Sequence, residues 1–364
     1  MIYLKDILKH IDNNINLHRK IGIIAASPSD DPNYNYHWIR DSALVMRVYI
    51  DLYSKDKNDN YFKHLINYIE NEYSLQDTKT ISGLGEPKYN IDGSAFNDAW
   101  GRPQNDGPAL RGIMMIKIFN LLKNDYPNIV LNLVSKIIEK DIIYTLNNLD
   151  NPCFDIWEEV YGYHFYTRII QLKFIKDYID NIKYLNQSFI INKPIHDIYE
   201  KFKFNIKDHL TSNSIISSFD ENGNICKEHD SSILLAYCHI EFDEEILKTF
   251  DIKYINKNIY SLLDIFRKKY NNNTLSLVGR YPYDVYQGGH IWIICSLAMA
   301  QIYKHLKNET YKEILNYIMN IDEQLDISEQ YDPINKKQIS SKTLTWNYSE
   351  LYFSLDYYGD VLKL

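Results

Sequence analysis

Two kinds of segment alternate along the chain: stretches with apolar residues at helical spacing, and long stretches with no period. Helical spacing predicts helices over 42–53, 61–73, 109–122, 130–149, 168–182, 231–237, 291–306 and 311–321. Within 130–149 the apolar positions are Val130, Leu131, Val134, Ile137, Ile138, Ile142, Ile143, Leu146 and Leu149. They form one stripe, with Ser135, Lys136, Glu139 and Lys140 on the other face. The segments 42–53 and 291–303 are apolar almost all round, which predicts helices buried on every side. Strand signals are confined to 274–278 and to 214–219, the latter followed by the turn Asp220-Glu-Asn-Gly223. No strand–helix–strand rhythm, phosphate loop or low-complexity linker interrupts this pattern. The expectation is one all-α domain over 1–364, with buried helices inside and amphipathic ones outside.

The aperiodic segments are 26–41, 82–108, 151–167, 279–289 and 327–348, each rich in Gly, Pro, Asp, Asn or Trp. All five tryptophans (Trp38, Trp100, Trp157, Trp292 and Trp346) fall in them or at their edges. Core packing alone would scatter indoles through the helices. Loops this long in a compact domain point to a site gathered at one end of the fold.

Composition narrows the function classes. With 45% hydrophobic and 24% charged residues the 364-residue chain is globular, and its net charge of −8 argues against a nucleic-acid partner. The 32 tyrosines reflect a general compositional bias, together with frequent Asn, Ile and Lys. Cys153, Cys226, Cys238 and Cys295 are dispersed, without metal-ligand spacing or a disulfide framework. Cys295 stands in an apolar run, as a buried thiol does. The N-terminal Met-Ile-Tyr-Leu-Lys lacks the basic and apolar blocks of a secretory signal, and no apolar run is long enough for a membrane span. An intracellular location, cytoplasmic or vacuolar, is therefore expected for a complete chain, and secretion for one whose leader was removed.

The segment 153–160, Cys-Phe-Asp-Ile-Trp-Glu-Glu-Val, places two carboxylates directly behind an indole. A carboxyl against an indole loses water, which favours its protonated form and suits a proton donor. The same residues also read as a helix start with acidic side chains at the positive dipole end. The other aperiodic segments carry Arg40-Asp41, Arg102 with Asp106, Arg280 with Asp284, and Glu329-Gln330, each near a tryptophan or tyrosine. Rings beside carboxylates and arginines suit a sugar, whose apolar face stacks while its hydroxyls bond to the charged groups. Hydrolysis of a glycosidic bond needs two carboxyls, one protonated and one ionised.

Five motifs carry a resemblance. They are Ser27-Pro-Ser-Asp-Asp-Pro-Asn-Tyr-Asn-Tyr-His-Trp-Ile-Arg-Asp-Ser-Ala-Leu44, Trp100-Gly-Arg-Pro-Gln-Asn-Asp-Gly-Pro-Ala-Leu-Arg111, Phe154-Asp-Ile-Trp-Glu-Glu-Val160, Gly279-Arg-Tyr-Pro-Tyr-Asp-Val-Tyr286, and Ser328-Glu-Gln-Tyr331 with Leu344-Thr-Trp-Asn-Tyr348. In this order, over nearly the whole chain, they resemble the glucoamylases (glucan 1,4-α-glucosidases). The resemblance implies an all-α (α/α)6 double barrel with its active site in the loops at one end. It implies an inverting exo-hydrolase that releases β-D-glucose from non-reducing ends of α-1,4-glucans or maltooligosaccharides, more slowly at α-1,6 links. It further implies no cofactor; the residues themselves lead to the expectation of no metal site and no membrane, and a monomer is expected. Related readings are a hydrolase of trehalose, isomaltose or dextran, and a non-catalytic glucan-binding or regulatory domain.

Residue by residue, the resemblance implies Glu158 as general acid and Glu329 as general base, roughly 6.5–9.5 Å apart. It places Arg40 and Asp41 on the outer hydroxyls of the terminal glucose, with Arg40 holding Asp41 ionised. Glu159 and Arg280 are implied as further hydroxyl ligands, and Tyr34 as neighbour of the developing cation. Trp100 would pack over the acid, Trp346 would form a wall, and Gln330 would flank the base. Tyr281 and the carbonyl of Trp157 complete the set.

Other charged residues are expected to be structural. Arg102, Asp106 and Arg111 read as a buried bracing network, Asp155 as a helix N-cap or partner of an arginine, and Asp284 as the holder of Arg280. His37, His164 and His290 read as satisfied hydrogen-bond partners. The chain departs from the family at Gly288-Gly289-His290-Ile291-Trp292, where an Asn would follow Arg280 before the Trp. Its connections are short, and neither a starch-binding module nor a Ser/Thr-rich linker is expected, which favours a soluble or intracellular glucan over raw starch.

Overall fold

The computed structural model describes residues 4–15, 20–185, 194–358 and 361–363. Twelve helices of eight residues or more occur among them. In chain order they are α1 (Leu4–Asn14), α2 (Ile39–Asp56), α3 (Asp59–Leu75), α4 (Asp106–Leu122), α5 (Ser135–Asn147), α6 (Phe165–Asn181), α7 (Ile195–Ile206), α8 (Ser232–His239), α9 (Ile255–Lys269), α10 (Ile293–His305), α11 (Thr310–Met319) and α12 (Thr345–Ser354).

The even-numbered helices form a closed ring. α2 packs on α4, α4 on α6, α6 on α8, α8 on α10, α10 on α12, and α12 returns to α2. Outside this ring α3, α5, α7, α11 and α1 pack on α2, α4, α6, α10 and α12. Two concentric rings of alternating helices make an (α/α)6 barrel, as the family resemblance implied.

The sequence explains who goes where. Every residue of α8 is buried, as are the ten from Ile293 to Ile302 in α10, because these helices have neighbours on all sides. By contrast α3 buries only Leu65, Tyr68, Ile69, Asn71, Glu72 and Leu75, a single stripe. Gly112 permits the close approach of α4 and α6, since a Cβ there would lie 2.1 Å from Phe174 Cζ. The chosen bracing residue Arg111 sits in the same helix. Its guanidinium meets Asp141 on α5 at 2.8 and 2.6 Å and Glu72 on α3 at 3.1 Å, so it pins one inner helix to two outer ones.

Several expectations are corrected. Residues 130–149 are not one α-helix: Val130–Val134 makes a π turn before α5, and Ile143 is 40% exposed. The side chain of Leu131 lies outside the described residues. The predicted helix 291–306 begins only at Ile293, because Ile291–Trp292 pairs antiparallel with Gln330–Asp332. Residues 274–278 form no strand. Ser218–Phe219 does turn back on Ile225–Lys227 as predicted, in a four-stranded sheet with Cys153–Phe154 and Tyr161–His164. Helices α1, α7, α9 and α12 were not foreseen. Thr345 and Asn347 of α12 fall in the segment read as loop, and Ser349 and Glu350 in no predicted element, yet all four are buried and bonded to neighbours. None of the described helices is long and apolar enough to cross a membrane.

Candidate active site

The inner helices begin at one end of the barrel, and the aperiodic segments that precede them enclose a cavity of about 670 Å³ there. All five tryptophans line it. Arg40 and Asp41 lie in the first turn of α2, Trp346 in the first turn of α12, and Trp292 just before α10. Trp38, Trp292 and Trp346 are each held at the start of a buried helix, which places those indoles at the edges of segments that otherwise lack regular structure.

Glu158 does not start a helix. It sits in the turn between the paired strands Cys153–Phe154 and Tyr161–His164. Asp155 builds that turn rather than capping a helix: its Oδ1 accepts from the backbone N–H of Glu159 (2.8 Å) and Val160 (3.1 Å). Its Oδ2 accepts from Lys227 at 2.8 Å, so its ionic partner is a lysine and not an arginine. The turn forces Glu158 to φ 67°, a left-handed conformation that costs a non-glycine residue on the order of 1 kcal/mol or more. The strain aims the carboxyl into the cavity. There Trp38 Nε1 and Gln104 Nε2 each donate to Oε1 at 2.8 Å, and Arg40 Nη2 stands 3.7 Å from the same oxygen.

Arg40 is held differently from the expectation. Its Nη1 donates to Asp106 Oδ2 at 2.8 Å and to Gln104 Oε1 at 3.0 Å, while Nε is 3.9 Å from Asp41 Oδ2. Asp106 therefore orients the guanidinium, and Asp41 keeps its oxygens for the cavity. Burial pushes the Asp41 carboxyl up to about 7, against the opposing pull of Arg40.

On another side, Arg280 makes a two-pronged bond to Asp284 (2.8 and 2.6 Å), the holding role expected of that aspartate. Arg280 Nη2 also meets Glu159 Oε1 at 2.8 Å, and its guanidinium lies 4.8 Å from the centre of the Trp292 ring. Glu159 Oε2 takes the Tyr281 hydroxyl and stands 3.2 Å from Lys227 Nζ. Tyr281 is thus committed to Glu159 and is not part of the cavity lining, whereas Trp157 is, with its indole N–H on Asp230 at 2.9 Å.

Glu329 reaches the cavity from the residue ahead of the strand Gln330–Asp332 and is 2% exposed. Ser340 Oγ donates to its Oε2 at 2.5 Å. Burial raises the carboxyl to about 7, and the hydroxyls of Ser340 and Tyr34 and the charge of Arg280 oppose the rise. Tyr34 lines the cavity with its hydroxyl 3.0 Å from that of Tyr286. Gln330 lies behind the wall: its Oε1 accepts from the His290 backbone N–H at 3.1 Å, and its amide donates to the Tyr286 carbonyl at 3.3 Å. Trp346 lines the cavity and anchors its N–H on Glu350 Oε1 at 2.9 Å.

Trp100 is 41% exposed at the rim, stacked against Lys88, whose Nζ is 3.1 Å from the ring centre. The indole that bonds to Glu158 is that of Trp38. Tyr36, Trp38 and Phe96 complete the box around Lys88, whose ammonium is lowered to about 8 by burial. The expected bracing contacts are present: Arg102 donates to Glu86 at 2.8 Å and to the carbonyl of Asp98. His37 pairs with Glu72 at 2.8 Å, His164 with Ser218 and the Cys153 carbonyl, and His290 with the Tyr270 hydroxyl.

Sequence reading missed Trp38, Lys88, Gln104, Tyr286 and Ser340 as parts of the site. Trp38 and Gln104 were legible in the motifs already quoted, as donors beside Arg40 and ahead of Asp106. Ser340 was not, because the pairing of Lys337–Ile339 with Gln330–Asp332 is what carries it to Glu329. No group of three or more His, Cys, Asp or Glu among the described residues is arranged to hold a metal.

The pattern of the family described as Glycosyl hydrolases family 15 matches residues 1–326. A protein named "Probable glucoamylase" from Schizosaccharomyces pombe is 31% identical over 367 residues, covering 93% of this chain and 78% of its own length. Glucoamylase GLU1 of Saccharomycopsis fibuligera is 31% identical over 324 residues, 77% of this chain and 62% of that protein. The solved structure of the Saccharomycopsis fibuligera glucoamylase superposes with a TM-score of 0.83 at 23% identity, over 96% of this chain and 92% of that one. The family 15 glucoamylase of Hypocrea jecorina superposes with a TM-score of 0.82 at 24% identity, over 96% and 70%. These two likenesses show the same barrel. The family match over residues 1–326 and the 31% identity to the Schizosaccharomyces pombe protein place the chain among the glycosyl hydrolases of family 15.

Proposed function

We propose that the protein is an inverting exo-glucosidase that removes terminal glucose from the non-reducing ends of α-1,4-linked glucans or maltooligosaccharides, and more slowly cleaves α-1,6 links. The observation that carries this reading is the presence of two carboxyls, Glu158 and Glu329, in one indole-walled cavity with Arg40, Asp41 and Arg280. A cavity of this size accepts a few sugar rings. Its planar side chains suit pyranose faces, and its charged pairs suit their hydroxyls.

In this reading Glu158 is the acid. Both of its side-chain hydrogen bonds fall on Oε1, which leaves Oε2 to carry the proton. As that proton passes to the glycosidic oxygen, the C1–O bond breaks and its electron pair stays with the leaving sugar. Glu329, ionised, takes a proton from a water that attacks C1 from the opposite face, so the product is the β-anomer. Tyr34 stands beside Glu329 where positive charge develops. Arg40, fixed by Asp106, and Asp41 grip the outer hydroxyls, while Glu159 and Arg280 hold those near the cleaved bond. Trp157 and Trp346 provide apolar walls.

Glucose release from maltotriose by Glu158→Gln and Glu329→Gln proteins tests the assignment. Each should lose about 10³-fold or more of kcat with unchanged far-ultraviolet circular dichroism. Retention of near-normal rates by either variant contradicts the role given to that residue.

A further inference from the structure

A second cavity, of about 500 Å³, lies at the other end of the barrel. It is lined from the later turns of α2 and α4, the segment after α8, and the end of α12. Along α2, Arg47 and Asp51 are seven and eleven residues beyond Arg40, or about 10–17 Å at the helical rise. The two cavities therefore occupy opposite ends of one helix.

Arg47 makes this cavity more than a dent. It is 3% exposed, and its Nη2 donates to Glu350 Oε1 at 2.8 Å. Its Nε, which is fully buried, has no hydrogen-bond partner, although an unpaired buried donor costs roughly 1–3 kcal/mol. The guanidinium lies 4.3 Å over the Phe353 ring, which presents an apolar surface to the same space. Across the cavity Lys117 Nζ meets both oxygens of Glu241 at 2.5 Å, and Asp51 accepts from Lys55 at 2.6 Å. Asn120 adds an amide, one of whose N–H groups donates to Asn181 Oδ1 at 2.9 Å while its oxygen accepts from Lys123 at 2.9 Å.

The charges decide the ligand class. Arg47 and Lys117 are matched by Asp51 and Glu241, so an anion or a cation meets as much repulsion as attraction. A neutral ligand bearing many hydroxyls can use both sets, donating to the carboxylates and accepting from the guanidinium, ammonium and amide. It can also lay an apolar face on Phe353. We infer that this far-end cavity is a second binding site, for a small neutral polyhydroxylated ligand of mono- or disaccharide size. The inference stands on the cavity itself and does not require that the first site be hydrolytic.

The methyl resonance of Ile50, which lines the far cavity, reports its occupancy. In Glu158→Gln protein carrying labelled isoleucine methyls, titration with maltose should move this resonance to saturation. Ser54→Trp, at an exposed lining position on α2, should block the cavity and weaken the response about tenfold or more. Asn120→Trp repeats the blockade from α4 and should do the same. The Ser54→Trp change placed in the otherwise native chain should leave glucose release from maltotriose intact. An Ile50 resonance that maltose does not move overturns the site. So does an equal response in the blocked variants. A response to inorganic phosphate at concentrations about tenfold below those of maltose overturns the neutral-ligand assignment.

Discussion

The indole N–H of Trp38 donates to Glu158 Oε1 at 2.8 Å, joining the residue just ahead of α2 to a strained turn 120 positions later. Gln104 bonds to the same oxygen, so one face of the carboxyl is fixed and the other faces the cavity. Trp38→Phe keeps the ring and removes the donor. Losing a hydrogen bond to a charged or reacting carboxyl is worth about 1.5–3 kcal/mol, so kcat should fall about 10- to 100-fold with a smaller change in KM. Steady-state kinetics on maltotriose check this, and a change confined to KM would assign Trp38 to sugar binding alone.

If Glu329 is the base, as proposed, its ionisation should set the acidic side of the pH profile. Its burial-raised value of about 7 means that, in the free protein, the carboxylate needed to activate water disappears as pH falls below neutrality. The acidic limb of kcat/KM should follow. Ser340→Ala removes a donor that favours the ionised form, so Glu329 should rise further and the limb should move to higher pH. A limb that stays in place or moves down contradicts the link between Ser340 and Glu329.

The same carboxyl predicts a stability difference with a definite sign. A folded-state value raised from 4.5 to about 7 makes the native state bind its proton more tightly than the unfolded chain. Stability is therefore fully present below pH 4.5 and is lost as pH rises to about 7. Glu329→Gln escapes that loss and should melt above the parent at pH 8, by about 1–3 kcal/mol, with the gap closing near pH 4. Thermal melts at the two pH values measure it.

Glu350 has the opposite sign. It is wholly buried, and its Oε1 accepts from Arg47, Trp346 and His239, with Gln301 on Oε2. These partners hold its carboxyl well below the ordinary range despite burial, with Arg47 the largest favourable influence. Its contribution is present above the unfolded-state value and is lost as pH falls. Glu350→Gln leaves Arg47 without its ion partner and should cost about 3–5 kcal/mol at pH 7 by denaturant unfolding, less in acid.

Periodicity exposed those elements whose burial follows a simple rule. Helices such as α2 and α10 are apolar all round because they stand in the inner ring, and their sequences say so. α12 occupies the same ring with Thr345, Asn347, Ser349 and Glu350 inside, each satisfied by a residue far away in sequence, and no local pattern encodes that. The loops were legible as a site because their tryptophans and charge pairs stood out. Their internal geometry was not. Asp155 looked like a cap for a helix that does not exist, since the hydrogen bonds it accepts close a hairpin turn instead. Arg40 looked tied to its neighbour Asp41, yet Asp106 on another helix holds it more closely. Side chains adjacent in sequence at a helix start point apart, and long-range pairing then decides their partners.

The central claim is that Glu158 and Glu329 act from opposite faces of the anomeric carbon, one on the leaving oxygen and one on water. The most direct measurement is proton NMR of the first glucose released from maltotriose, recorded before mutarotation mixes the anomers. Single displacement by water predicts the β-anomer as the initial product, with α-glucose appearing only later. Initial release of α-glucose would mean retention, and would contradict the roles given to both carboxyls.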